Sequence, residues 1–220
     1  AKGKSIVVSN SNDAGVQVVV NAINNLLGNY GSTLNMANPL YLKGGVDADM
    51  DALVADMKAG KVGALLIHGV NPSYSYGKAA DFNAGLAKVG LTVSFADRLD
   101  ETAAAGVTYL TPDNNYLESW NDSEAQAGSY SLTQPTIQPL FDTRQFQESL
   151  LKWSGNDSDY YSYIKANWAG IHTSSPDGGL LFNDFFNTAL FNGVFESGTV
   201  GETPEFVGDV AAAAASIKKV

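Results

Sequence analysis

The strongest constraint on this fold is the way short apolar runs alternate with helix-spaced segments through the first half of the chain. The clearest run is Val62-Gly63-Ala64-Leu65-Leu66-Ile67, which leads into His68-Gly69-Val70-Asn71-Pro72. A short apolar run bounded by turn residues is the signature of a strand buried on both faces. Further strands are expected at residues 5–9, 91–95 and 107–110, and an irregular or edge strand at 34–42, where Pro39 removes a ladder donor. Between them the spacing predicts helices. Residues 15–27 place Val16, Val19, Val20, Ile23 and Leu27 on one face, and Gly28 closes that helix. Residues 47–59 do the same with Met50, Leu53, Val54 and Met57, and residues 78–89 with Phe82, Leu86 and Val89. A short helical turn at 101–105 follows the strand at 91–95.

The second half changes character. Residues 111–141 are rich in Asn, Asp, Ser, Gln and Pro with little periodicity. They read as an ordered excursion, because a structureless loop of that length is uncommon in a compact domain. Helices are then expected at 142–153, 158–168 and 183–195, followed by a linker at 198–208 and an alanine-rich tail helix at 209–219. The expected class is α/β: a Rossmann-like or flavodoxin-like, mostly parallel sheet flanked by helices, with a helical C-terminal appendage. The corresponding segments are 1–112 for the sheet domain, 113–141 for the excursion and 142–220 for the appendage packed on it.

Charge and composition exclude several functions. A net charge of −10 with only 13 Lys and Arg offers no basic stripe for nucleic acid. No apolar run approaches the roughly 20 residues that a membrane span needs. The absence of cysteine removes disulfides, thiolate nucleophiles and iron–sulfur ligation. Neither G-x-G-x-x-G nor G-x-x-x-x-G-K-[ST] occurs, and there is no H-E-x-x-H or G-x-S-x-G. No catalytic set and no metal site are therefore expected, and His68, ending the central strand, reads as structural. The abrupt start at Ala1-Lys2-Gly3-Lys4, one step before a strand, reads as an excised piece of a longer polypeptide.

Open α/β sheets bind ligands beyond the carboxyl ends of their strands. Those ends carry Asn10-Ser11-Asn12, Gly69-Val70-Asn71-Pro72 and Asp97-Arg98-Leu99-Asp100. Asn10, Asn71 and Asp97 are thus the candidate cofactor-contacting residues, set against the fact that such residues populate every strand-to-helix turn. Trp153, Tyr160, Tyr161, Tyr163 and Trp168 have few interleaved cations, which suits a packed seam or a protein contact.

The order Gly69-x-Asn71-Pro72, Asp97, Asp100-Glu101-Thr102-Ala103, Leu110-Thr111-Pro112 and Glu118 resembles the third domain of molybdopterin oxidoreductases. Longer strings are similar to the large iron–sulfur subunit of bacterial alternative complex III, a quinol-oxidising respiratory complex. They include Asn71-Pro72-Ser73-Tyr74-Ser75-Tyr76, Phe95-Ala96-Asp97-Arg98-Leu99-Asp100-Glu101-Thr102-Ala103, Tyr116-Leu117-Glu118-Ser119-Trp120-Asn121-Asp122 and Gly193-Val194-Phe195-Glu196. The resemblance implies an oxidoreductase subunit exported to the periplasmic face of the inner membrane and held by other domains and subunits. It further implies iron–sulfur clusters in a separate cysteine-rich domain, and a molybdopterin-like region that has lost its cofactor and serves as scaffold. In relatives that keep the pterin, this domain contacts one guanine-dinucleotide arm. A stand-alone small-molecule-binding α/β domain is the remaining alternative.

Overall fold

A computed structural model describes residues 2–41, 44–175, 179–198 and 201–217. Residue 42 of the expected edge strand, residues 199 and 200 of the expected linker, and residues 218 and 219 of the expected tail helix lie outside them. In chain order the elements are α1 (Ala14–Leu26), α2 (Asp47–Lys58), β1 (Ala64–Ile67), α3 (Pro72–Ser75), α4 (Ala79–Leu86), β2 (Leu91–Ser94), α5 (Glu101–Ala104) and β3 (Tyr109–Leu110). A 3₁₀ turn, Tyr116–Glu118, precedes β4 (Asn121–Gln126), β5 (Ser129–Thr133), α6 (Phe146–Trp153), α7 (Tyr160–Ser174), α8 (Phe182–Asn192), β6 (Val194–Glu196) and α9 (Val210–Ser216).

The chain divides into two units that are discontinuous in sequence. One gathers residues 1–42, 124–131 and 194–220, the other residues 43–123 and 132–193. The expected segments 1–112, 113–141 and 142–220 cut across this division. The reason is that the chain returns twice to the first unit, through the tip of the β4–β5 hairpin and through β6 with α9.

In the larger unit β1, β2 and β3 form a parallel sheet in that order, flanked by helices, as the alternating pattern predicts. Leu65 lies opposite Thr92, and Val93 opposite Tyr109. The crossovers run through α3 and α4, then through α5. Val54, Met57, Ile67, Phe82, Leu86 and Val89 are buried together, so the helical faces read from spacing do pack on the strands. α2 and α4 approach closely because position 85 is glycine; a Cβ there would come within 2.9 Å of Met57 Cβ. The ladder to β3 starts at Tyr109 rather than at 107. One step earlier, Thr92 N–H donates to Thr108 Oγ1 at 3.1 Å and Thr108 N–H to Thr92 Oγ1 at 2.7 Å, so hydroxyls replace the main-chain rungs.

The aromatic helices are partly core. Trp168 is fully buried, meets Phe186 edge-on at 5.9 Å and donates its indole N–H to Asp122 at 3.0 Å. Trp153 and Tyr163 remain about half exposed. Within 111–141, expected to lack periodicity, the hairpin β4–β5 is the main departure; Gly128, at φ +80°, stands in the tight turn between its strands.

The smaller unit holds α1 against α9, and β5 paired antiparallel with β6. The strand expected at 5–9 makes no ladder. Its main chain is held by side chains instead: Val7 N–H donates to Asn24 Oδ1 at 2.9 Å, and Asn24 Nδ2 donates back to Val7 O at 2.8 Å. The carboxamide copies, at Val7, the pair of bonds a neighbouring strand would make. Residues 34–41 likewise contribute only isolated bridges, Tyr30 with Leu34 and Leu40 with Gln126. Asn24 is almost completely buried. Asn24→Ala would strand both Val7 groups, and we expect it to lower stability by about 1–2 kcal/mol, read as a fall in the urea midpoint together with faster exchange of the Val7 amide.

Candidate functional site

The carboxyl ends of the parallel strands bound a cavity of about 350 Å³ lined by His68, Gly69, Val70, Asn71, Phe95, Ala96, Asp97, Asp100 and Asp113. Two of the three candidate residues, Asn71 and Asp97, therefore share it. Asn10 belongs to the other unit, where it is exposed in the irregular segment before α1.

Asn71 sits at the N-terminal edge of α3, where Pro72 begins the turn. Its Nδ2 donates to Glu101 Oε2 at 2.6 Å, and its Oδ1 accepts from Thr102 Oγ1 at 2.7 Å and from Thr102 N at 3.2 Å. Thr102 is fully buried and accepts from Ser73 N at 3.0 Å. Asn71 thus ties the loop after β1 to α5. The Asn71 amide is the main cause holding the Glu101 carboxyl below its ordinary pKa, with a backbone hydrogen bond adding to it.

Asp97 is exposed, and the neighbouring Arg98 forks onto it, Nε to Oδ1 at 2.9 Å and Nη2 to Oδ2 at 2.7 Å. That hydrogen bonding keeps the Asp97 carboxyl low, but both groups lie mostly in solvent and their attraction is weak. Asp100 caps α5 by accepting from Ala103 N at 2.8 Å.

His68 and Asp113 are the residues that strand-end reasoning passed over. His68 Nε2 lies 2.8 Å from Asp113 Oδ2, and a carboxylate only accepts, so Nε2 carries the proton. The second carboxylate oxygen accepts from the N–H groups of Asn114 and Phe146, each at 2.8 Å. The Asp113 carboxylate thus caps α6, whose own preceding residue Gln145 provides no side-chain cap. The Phe146 ring stacks on the imidazole at 4.0 Å and 8°, and Phe95 meets Phe146 edge-on at 4.7 Å. The signal for Asp113 was available: it follows β3 as Asn71 follows β1, and only its assignment to the excursion hid it. His68 thus contacts Asp113, Phe95 and Phe146.

Among the described residues no group of three or more His, Cys, Asp or Glu could hold a metal ion. None of their helices is long and apolar enough to cross a membrane.

Fold and cavity position define the larger unit as an open α/β domain whose candidate site lies at the ends of its parallel strands. Over 106 residues, 46% of this chain, the sequence is 34% identical to the molybdopterin-binding-like subunit of menaquinone reductase from Nitratidesulfovibrio vulgaris (strain Hildenborough). The match supports a molybdopterin-oxidoreductase-like relationship, and the chain spans 15% of that protein's length. No protein-family profile matches the chain.

Two outcomes follow from this network. Asn71→Ala should move the Glu101 titration midpoint upward, as followed by carboxyl-carbon NMR. Because the native pKa is depressed, the stabilisation from this contact is complete at neutral pH and fades as pH falls through the folded value. Asp113→Ala should leave three donors without an acceptor and cost about 2–3 kcal/mol, whereas Asp113→Asn, which keeps one acceptor oxygen, should cost less; urea unfolding followed by tryptophan fluorescence measures both.

Proposed function

We propose that this chain is part of a molybdopterin-oxidoreductase-like subunit of a respiratory quinol-oxidising complex, in which it serves as a cofactor-free scaffold and interaction region. The resemblance carried by residues 71–76, 95–103 and 116–122 directs the reading toward the large iron–sulfur subunit of alternative complex III, at the periplasmic face of the inner membrane. The match to the molybdopterin-binding-like subunit supports the broader part of it. On this reading the chain's partners are other domains and subunits of the complex, and electron transfer takes place elsewhere in them.

The chemistry of the strand-end lining carries the scaffold role. A pterin guanine dinucleotide brings a diphosphate, which needs cations or a bare helix N-terminus. The cavity offers Asp97, Asp100 and Asp113 and no Lys or Arg. Its hydrogen-bonding groups also satisfy one another, Asn71 with Glu101 and Thr102, and His68 with Asp113. Arg98, adjacent to the cavity, makes a solvent-exposed and weak pair with Asp97. These residues do not fit a dinucleotide's phosphates.

The rival reading is a domain of an active pterin enzyme, with Asn71 and Asp97 meeting the guanine edge. Calorimetric titration with guanosine diphosphate separates the two. The scaffold reading expects no saturable binding up to about 1 mM, a free energy no better than about −4 kcal/mol. Saturable binding that disappears in both Asn71→Ala and Asp97→Ala would overturn it.

A further inference from the structure

Residues 2–9 are held along one flank by an unusual set of bonds. Ser32 Oγ donates to Gly3 O at 2.8 Å, Thr33 Oγ1 to Ser5 O at 2.5 Å, Asn24 Nδ2 to Val7 O at 2.8 Å and Gln17 Nε2 to Ser9 O at 3.2 Å. Gly3, at φ +65°, lies in a turn and Lys4 in a bend, so the extended course starts at Ser5, where the acceptors are residues 5, 7 and 9. Gly3 N also donates to Leu27 O at 2.7 Å, and Val7 N to Asn24 Oδ1. A period of two is the period of an extended strand, in which one residue's N–H and C=O point to one side and the next residue's to the other.

The odd-numbered flank is therefore closed by side chains of α1 and of the turn after it. The even-numbered flank, the main-chain groups of Lys4, Ile6 and Val8, meets no main-chain or side-chain hydrogen-bond partner among the described residues. Ile6 is 50% exposed and Val8 78% exposed. Lys2 and Lys4 are exposed and form no ion pair among the described residues.

We infer that the Ile6–Val8 edge is a docking site for a β-strand supplied by a partner polypeptide. The partner strand carries apolar side chains at alternate positions, to cover Ile6 and Val8, and a carboxylate at the end that meets Lys2 and Lys4. Main-chain bonds to residues 6 and 8 give the affinity, and the apolar and acidic positions give the selectivity. Lysines on an open edge discourage pairing with strands that lack a carboxylate, including a second copy of the same Lys-flanked run. This assignment is independent of the strand-end cavity and goes beyond the scaffold reading by naming an attachment edge.

Amide hydrogen exchange on the whole chain tests it, with a short synthetic peptide of alternating valine and threonine bearing a terminal glutamate as probe. Without peptide, the Val7 amide should be protected while those of Lys4, Ile6 and Val8 exchange freely. With peptide at about a hundred times its Kd, exchange at Ile6 and Val8 should slow by roughly a hundredfold. Ile6→Pro removes an N–H that no described residue accepts, and proline is tolerated on an outward edge. It should keep Val7 protected and abolish the peptide effect at Val8, and Val8→Pro should do the same at Ile6. Peptide protection unchanged in both variants, no protection by peptide in the native chain, or even-position amides already slow in dilute chain would overturn the proposal. Protection that rises with chain concentration alone would overturn it in favour of self-pairing.

Discussion

The Asp113 carboxylate is the point on which the strand-end region of the larger unit depends. One oxygen meets the imidazole that ends β1, and the other takes the first N–H of α6 and the amide of Asn114. Three segments far apart in sequence converge on a single side chain. Once His68 is fixed, its ring becomes a platform for Phe146, and Phe146 in turn packs against Phe95 at the end of β2. Electrostatics thus set the position of the helix, and aromatic packing fills the space that this leaves.

The same economy governs the rest of the cavity. Asn71 spends its carboxamide joining the loop after β1 to α5, and Asp100 spends its carboxylate capping that helix. Polar residues at strand ends are the usual sign of a ligand site. Here they mostly hold neighbouring loops together, and the charge left on the lining is negative.

Side chains standing in for main-chain rungs recur in both units. Asn24 pairs with Val7 in the manner of a neighbouring strand, and Thr92 and Thr108 exchange hydroxyl bonds where a ladder would have continued. In each case an apolar or β-branched run keeps its extended course while the ladder is shortened or absent. Local pattern reports the extended course, because side-chain alternation and burial depend on the residue itself. It does not report what satisfies the main chain, because the partner comes from 16 or 17 residues away.

The sequence by itself determined the α/β class, the parallel strands β1 and β2, the helices α2 and α4 with their buried faces, and the location of Asn71 and Asp97 at strand ends. These follow from period, turn residues and caps, all of which are local. Only the tertiary structure decided that residues 5–9 lie against Asn24 rather than in a sheet, that a hairpin and β6 return to the first unit, and that Asp113 belongs to the strand-end site. Each of those is a pairing between distant residues, and its energy depends on which donor and acceptor the folded chain brings within hydrogen-bond reach. The alternation of strand and helix fixed where the polar ends would fall; the contacts among those ends decided that they bind mainly one another.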